Sequence, residues 1–146
     1  MPIAIGADHG GFDLKAKIIK YLELKGHTVK DFGTYSPEPC DYPKYGFTVA
    51  RAVAGGKYSR GILICKSGIG MSIVANKVRG IRAAMVDNVE AARSSREHND
   101  LNIIVFGSKA MNTYKAKRIL DVWLKTRRLG GRHLRRVNQI KALEDK

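Results

Sequence analysis

Ile62-Leu-Ile-Cys65-Lys-Ser67-Gly68-Ile-Gly70-Met-Ser72 tells more about the architecture than any other segment of the chain. Its apolar start, followed by one cysteine and a Ser/Gly turn, predicts a buried strand that leads into a helix. Ligands of open α/β sheets bind outside the carboxyl ends of the strands, and amides at a helix N-terminus favour anions. We therefore expect Cys65 to be a reactive base or nucleophile beside an oxygen-rich, phosphorylated ligand. Many lone cysteines at strand ends only pack in the core, and this segment alone leaves that alternative open.

Strand-like and helix-like segments alternate along the whole chain. The predicted strands are Ile3–Ala7, His27–Phe32, Ile62–Cys65, Ile81–Val86 and Ile103–Phe106. The predicted helices are Phe12–Lys25, one through Phe47 and Val53, Met71–Val78, Val89–Glu97, one through Ala116 and Leu124, and Arg132–Glu144. This order predicts an α/β fold, a three-layer αβα, Rossmann-like five-stranded parallel sheet with helices on both faces.

The chain has 146 residues without a linker or repeat, which predicts a single domain over residues 1–146. Apolar residues of the last helix recur at three-residue intervals, so we expect this helix to pack on a partner subunit in a homodimer. No apolar run reaches the ~18 residues that a membrane span needs, and no signal segment is recognised. A cytoplasmic protein without membrane association is expected. Cys40 and Cys65 have no partners at zinc spacing, so neither a disulfide framework nor a metal site is expected.

The charge of the chain is strongly positive. It has 27 Lys and Arg residues against 13 Asp and Glu, which gives a formal net charge of +14. The basic residues are densest between Lys115 and Arg136, where they could bind nucleic acid, form a solvated surface or hold a small phosphorylated substrate. No RNA-binding aromatic motif, zinc finger or helix-turn-helix signature accompanies them. Nucleic-acid binding is therefore kept only as the weaker alternative.

Polar side chains stand next to four of the five predicted strands. In chain order they are Asp8 and His9, Asp41 and Tyr42, Cys65 and Ser67, and His98 with Asn99 and Asp100. Each has an ordinary structural explanation, such as a helix cap, a packed ring or a cation at a helix end. Taken together they predict one site at one edge of the sheet. A Cys-x5-Arg phosphatase loop is not indicated, because position 71 is Met71.

Seven motifs of the chain resemble those of the RpiB/LacAB sugar-phosphate isomerase family, from about Ile3 to Val137. They are Asp8-His9-Gly-Gly, Gly33-Thr with Asp41-Tyr42-Pro43, Cys65-x-Ser67-Gly68-x-Gly70-x-Ser72-Ile73-x-Ala75-Asn76-Lys77, Gly80-Ile-Arg82-Ala-Ala, Arg96-x-His98-Asn99, Phe106-Gly107-Ser108 and Gly130-Gly131-Arg132-His133-x-x-Arg136. The resemblance implies an aldose–ketose isomerase without metal or cofactor that works through a cis-enediol. Its implied reaction interconverts ribose 5-phosphate and ribulose 5-phosphate in the pentose phosphate pathway. Allose 6-phosphate or galactose 6-phosphate remains an alternative substrate.

The resemblance also implies roles for individual residues. Cys65 would be the general base, and His98 would assist opening of the sugar ring. Ser67 would be a further catalytic residue and would donate to the enediolate, together with Gly68, Gly70 and Ser72. Asp8 and Tyr42 would hold sugar hydroxyls, and Asn99 would also bind the substrate. His9, Lys109, Arg132 and Arg136 would contact the phosphate. The two arginines would come from the other subunit of a homodimer, or of a dimer of dimers, with active sites at the subunit interface. Arg132 and Arg136 are four residues apart and share one helix face, and their forked guanidinium groups suit a phosphate.

Three positions depart from the pattern of the family. Lys66 stands where the family usually has glycine, and it adds a positive charge beside Cys65. Ser67 stands where threonine is frequent, and it keeps the hydroxyl. Lys109 replaces an arginine that many members carry, so it keeps the charge but loses the two-pronged geometry.

Overall fold

Five parallel strands form one sheet in the computed structural model, which describes residues 1–146. The strands are β1 (Ile3–Ala7), β2 (Val29–Asp31), β3 (Arg60–Cys65), β4 (Ala83–Met85) and β5 (Ile103–Gly107). Their order across the sheet is β2-β1-β3-β5-β4. The predicted α/β class and five-stranded parallel sheet are confirmed. β2 and β4 are shorter than predicted, because each is an edge strand that pairs on one side only.

Six helices connect the strands and extend beyond the last one. They are α1 (Phe12–Leu24), α2 (Tyr42–Ala54), α3 (Ile69–Asn76), α4 (Val89–Asn99), α5 (Thr113–Lys125) and α6 (Gly131–Leu143). Two short 3-10 turns, His9–Gly11 after β1 and Ser108–Ala110 after β5, were not predicted, since three residues are too few for a periodic pattern. None of the helices combines the length and apolar character that crossing a bilayer requires.

Alternate residues of the central strands face two separate cores, as the period of a strand requires. Ile62 and Ile64 pack with α1, α4 and α5 on one face of the sheet. Leu63 and Cys65 pack with α2 and α3 on the other. Helices therefore cover both faces, as predicted, and Cys65 belongs to the core beneath α2 and α3.

Helix α6 lies outside these layers, against α4 of its own chain. Val137 is buried there, whereas Ile140 and Leu143 remain 42% and 66% exposed. The apolar pattern of α6 is thus only partly satisfied within one chain. Its packing on a partner subunit stays a prediction.

A partly buried ion pair joins α1 to β2 near one edge of the sheet. Lys15 Nζ lies 2.7 Å from Asp31 Oδ1, and the lysine side chain is only 3% exposed. Asp31 also accepts a hydrogen bond from the Gly33 amide at 2.8 Å. Removing one partner of such a pair leaves a buried charge without compensation.

We expect Asp31→Asn to lower the free energy of unfolding by about 3 kcal/mol, because Lys15 would keep its charge without a counterion. The double variant Lys15→Met/Asp31→Asn removes both charges and should recover most of that loss. Urea denaturation of the two variants measures both effects. A double variant no more stable than Asp31→Asn would contradict this account of the pair.

Candidate active site

The carboxyl ends of β1 and β3 lie side by side in the middle of the sheet. β2 lies on one side of β1, and β3 lies on the other side. The order in which strands are added to the sheet therefore reverses between β1 and β3. The amide of Asp8, the first residue after β1, donates to the carbonyl of Ile64 at 3.2 Å. This contact brings Asp8 next to Cys65. A crevice at such a reversal point is where open α/β sheets bind their ligands.

Cys65 ends β3 and is covered by the loop that follows it. Its side chain is buried, and its sulfur accepts a hydrogen bond from the Gly68 amide at 3.1 Å. Gly68 has a φ of +81°, a left-handed conformation that favours glycine. A Cβ atom at this position would lie 3.1 Å from the amide nitrogen of Gly107 on β5. The loop therefore folds back over the thiol only because residue 68 has no side chain.

The loop also determines which hydrogen-bond donors remain free. The hydroxyl oxygen of Ser67 accepts from the Ile69 amide at 3.2 Å, and the Ser72 hydroxyl donates to the Gly68 carbonyl at 3.0 Å. In contrast, the amides of Gly70 and Met71 in the first turn of α3 donate to no group of the chain. Of the predicted donors, Gly68 and Ser72 are thus engaged within the loop. The Ser67 hydroxyl proton and the Gly70 amide are available, and the Met71 amide is an addition that the motif did not single out.

Asp8 and His9 follow β1, beside the loop that carries Lys66. Asp8 is 8% exposed and accepts a hydrogen bond from the Gly11 amide at 3.2 Å, so it also caps the short turn after β1. His9 Nδ1 accepts from the Cys40 amide at 3.1 Å. A neutral ring that accepts at Nδ1 carries its proton at Nε2, which leaves one donor free. No sequence pattern connects Cys40 with His9, because the proline-rich loop that carries Cys40 has no periodic signal.

Tyr42, the first residue of α2, lies over the glycine loop. A Cβ atom at Gly70 would come within 2.8 Å of the tyrosine hydroxyl oxygen. The ring and the loop are therefore in direct contact, and glycine is required at position 70 for this approach. The structure brings Tyr42 to the Cys65 loop, as the sequence predicted.

Lys109 lies next to the same loop on the β5 side. Its amide donates to the carbonyl of Lys66 at 3.1 Å, and the hydroxyl of the preceding Ser108 donates to the carbonyl of Gly10 at 2.7 Å. A cavity of about 570 Å³ opens here. Its lining includes Lys66, Ser67, Met85, Asp87, Lys109 and Met111. Met85, Asp87 and Met111 were not predicted, since nothing in their spacing links them to the loop.

His98 and Asn99 lie elsewhere. They belong to the last turn of α4, which leads to the amino end of β5, whereas Cys65 pairs with Gly107 at the carboxyl end. The five residues of β5 separate these ends by roughly 15 Å. The prediction of one edge for all the polar groups is therefore wrong for His98, Asn99 and Asp100. A residue that precedes a parallel strand lies at the end of the sheet opposite to one that follows it.

The His98 ring stacks on the ring of His133 in α6, with centroids 4.2 Å apart and planes at 9°. Arg132 and Arg136 are exposed on the same helix. Loss of water around the stacked ring, followed by repulsion from His98 and from the two arginines, holds the pKa of His133 below its usual 6.5. His98, Asn99, Arg132 and Arg136 thus form a second, basic group on α4 and α6. One chain carries the predicted site as two separate halves.

Residues 3–140 match the family model described as Ribose/Galactose Isomerase. Ribose-5-phosphate isomerase B of Escherichia coli (strain K12) is 49% identical over 144 residues, which are 99% of this chain and 97% of that protein. D-erythrulose-4-phosphate isomerase of Pectobacterium atrosepticum is 43% identical, over 96% of this chain and 93% of that protein. The solved structure of ribose-5-phosphate isomerase B from Clostridium thermocellum superposes with a TM-score of 0.97 at 50% identity, covering 99% of this chain and 98% of that one.

We expect the pKa of His133 to rise in the variant Arg132→Gln/Arg136→Gln, because removing nearby positive charge makes protonation of the ring easier. NMR titration of the ring protons, assigned with a His133→Asn variant, measures the pKa. The variant Lys117→Gln/Arg118→Gln removes the same charge from α5 and serves as the control. An equal rise in the control would show that only the overall charge of the protein matters.

Proposed function

The chain belongs to the ribose/galactose isomerase family, and we propose that it interconverts ribose 5-phosphate and ribulose 5-phosphate with Cys65 as the base. It is an aldose–ketose isomerase, as its relatives over nearly the whole chain are. One observation carries the assignment of Cys65. Its sulfur lies beneath a loop that also offers unpaired amides at Gly70 and Met71. Enediolate chemistry needs a base and fixed donors together, and both are available there.

In the proposed reaction, the Cys65 thiolate removes the proton from C2 of the open-chain aldose. The C–H electron pair forms the C1–C2 double bond, and the C1 carbonyl oxygen becomes an enediolate oxygen. The Ser67 hydroxyl and the free amides of Gly70 and Met71 donate to the oxygen where this charge develops. The thiol then returns its proton to C1, the C2 hydroxyl proton passes to the C1 oxygen, and the ketose carbonyl forms at C2. Atoms and charge balance without a cofactor.

The remaining residues of the Cys65 half would hold the substrate. Asp8 and Tyr42 line the crevice and offer oxygen atoms to sugar hydroxyls. His9 can donate from Nε2 to a phosphate oxygen, because its Nδ1 is occupied by the Cys40 amide. Lys109 would add a single positive charge, without the two parallel hydrogen bonds that an arginine makes with a phosphate.

We propose that a second copy of the chain completes the site. In the proposed reaction, Arg132 and Arg136 bind the phosphate and His98 assists ring opening. His98 lies at the amino end of β5, whereas Cys65 of the same chain lies at the carboxyl end. Arg132 and Arg136 flank His133, on which His98 stacks, and therefore belong to the same distant end. Exposed apolar residues beside the Cys65 loop offer a surface for the second copy: Phe47, Ile69 and Ile73 are 48%, 59% and 57% exposed. In this homodimer, His98, Asn99, Arg132 and Arg136 of one copy face Cys65 of the other, and two such dimers can associate further. We propose the cytoplasm, where sugar phosphates are made and consumed, as the location.

Cys65→Ala should lower kcat for ribose 5-phosphate by about 1,000-fold with little change in KM, because a base acts mainly in the transition state. Cys40→Ala is the matched control, since it removes the other cysteine sulfur, which lies 3.9 Å from His9 Nδ1, and keeps the backbone amide that donates to His9. Near-normal turnover of Cys65→Ala would return this residue to a packing role. Parallel rates for allose 6-phosphate and D-erythrulose 4-phosphate would define the substrate length, and a higher kcat/KM for either than for ribose 5-phosphate would overturn the proposed substrate.

Mixing inactive variants tests whether the site is shared. Cys65→Ala and Arg132→Ala/Arg136→Ala should each be nearly inactive as pure homodimers. After subunit exchange, random pairing makes half of the dimers mixed, and each mixed dimer contains one intact site, so up to about a quarter of the wild-type activity should return. Cys65→Ala mixed with His98→Asn should recover in the same way.

The control mixture combines Cys65→Ala with Asp8→Asn, which alter the same half of the site. No activity should return from it, because Cys65 and Asp8 of a site come from the same copy. Each site of a mixed dimer therefore lacks one of the two residues. Native mass spectrometry confirms exchange in each mixture. Full exchange without recovery in the His98 mixture would show that His98 acts within its own chain.

A further inference from the structure

A basic cavity lies at the amino end of the sheet, away from Cys65. It measures about 510 Å³ and is bounded by the start of β3, the end of α4 and the segment that joins α5 to α6. The residues that matter here are Arg60, Arg96, Asp100, Arg127, Arg128 and Leu134. Four guanidinium groups therefore surround this space together with a single carboxylate.

That carboxylate is already engaged by two arginines. Asp100 lies 2.9 Å from Arg96 Nη1 and 3.3 Å from Arg82 Nη2. Arg60, Arg127 and Arg128 have no carboxylate oxygen within 4.0 Å. The cavity thus carries a clear excess of positive charge that the chain does not neutralise.

Two of the guanidinium groups are held in place by the backbone. Arg96 donates to the carbonyls of Leu101 and Thr126 at 2.7 and 3.3 Å, and its side chain is 8% exposed. Arg60 donates to the carbonyl of Trp123 at 2.9 Å, and its guanidinium carbon lies 5.1 Å from the centre of the Trp123 ring. Groups fixed in this way lose little freedom when a ligand binds.

Burial and a neighbouring positive charge both disfavour the protonated form of Arg60. Burial, followed by repulsion from Arg96, lowers its pKa to about 10. It remains protonated at neutral pH, so two cations are kept near each other in a partly dry space. An anion in the cavity would relieve this repulsion.

The cavity is distinct from the arginines assigned to the substrate phosphate. Leu134 lies two residues from Arg132, and at 3.6 residues per turn their side chains point about 200° apart around α6. Arg136 lies on the Arg132 face. The cavity and the Arg132/Arg136 pair therefore occupy opposite sides of the helix.

We propose that this cavity binds a small molecule with two or more linked phosphates, such as pyrophosphate or the di- or triphosphate of a nucleotide. A single phosphate could engage only part of a set of guanidinium groups spread around 510 Å³. Linked phosphates present several charged oxygens at different positions, which forked guanidinium groups bind well. This inference concerns binding alone and does not depend on the isomerase assignment.

Calorimetric titration of the whole protein with pyrophosphate tests the proposal. Arg60→Gln/Arg127→Gln/Arg128→Gln should weaken binding by about 100-fold or more, since charge-assisted hydrogen bonds are lost at three positions. The control Lys117→Gln/Arg118→Gln/Lys125→Gln removes three charges from α5 and should change the affinity less than about threefold, in keeping with a purely long-range effect. Arg127→Gln/Arg128→Gln alters only exposed side chains and keeps the test valid if loss of Arg60 impairs folding. KM for ribose 5-phosphate should stay unchanged in both cavity variants.

Four results would overturn the proposal. The first two are no binding at millimolar pyrophosphate and an equal loss of affinity in the α5 control. The third is equally tight binding of sulfate, which would indicate an adventitious ion only, and the fourth is a loss of affinity confined to Arg132→Gln/Arg136→Gln. That last result would place pyrophosphate in the substrate site. Titration with a nucleoside triphosphate distinguishes a nucleotide ligand from pyrophosphate. Tighter binding than pyrophosphate supports a nucleotide ligand, and equal binding supports recognition of the linked phosphates alone.

Discussion

The close approach of two backbones where β3 and β5 end is the constraint on which the candidate site depends. A Cβ atom at Gly107 would lie 2.6 Å from the Ser67 carbonyl oxygen, so the loop after Cys65 can rest directly on β5 only with glycine there. That contact turns the Gly68 amide toward the cysteine sulfur. It also leaves the first amides of α3 facing the crevice. The Cys65 sulfur and the unpaired amides of α3 therefore take their positions from the packing of backbone on backbone.

The sequence was sufficient for features that rest on local patterns. The apolar runs of β1, β3 and β5 identified the three interior strands, because strands buried on both faces carry few polar residues. The edge strands were predicted too long, since pairing on one side ended them earlier than their apolar character did. The loop motif from Cys65 to Ser72 was predicted correctly as a strand-to-helix turn. Its internal hydrogen bonds were not, because the choice between Gly68 and Gly70 as a free donor depends on backbone angles.

Features that depend on distant parts of the chain were harder to predict. His98 stands before β5, and only the direction of a strand relative to its neighbours decides at which end of the sheet such a residue lies. The contact of Cys40 with His9 joins residues 31 positions apart through a loop without periodicity. The excess of basic residues was visible in the composition, yet only the fold shows that Arg60 from β3 lines the same cavity as Arg127 and Arg128. Charge counts give no information on which cations share one cavity.

The separation of Cys65 from His98 has an evolutionary consequence. If two copies together build each site, a symmetric dimer contains every essential residue twice over, and an unequal pair needs only one intact combination. After duplication of such a gene, one copy can lose the residues around the base while the other loses the residues on α4 and α6. Neither descendant is then active alone, so both genes must be retained. Obligate heteromers can thus arise from this architecture by loss alone, without the gain of any new contact.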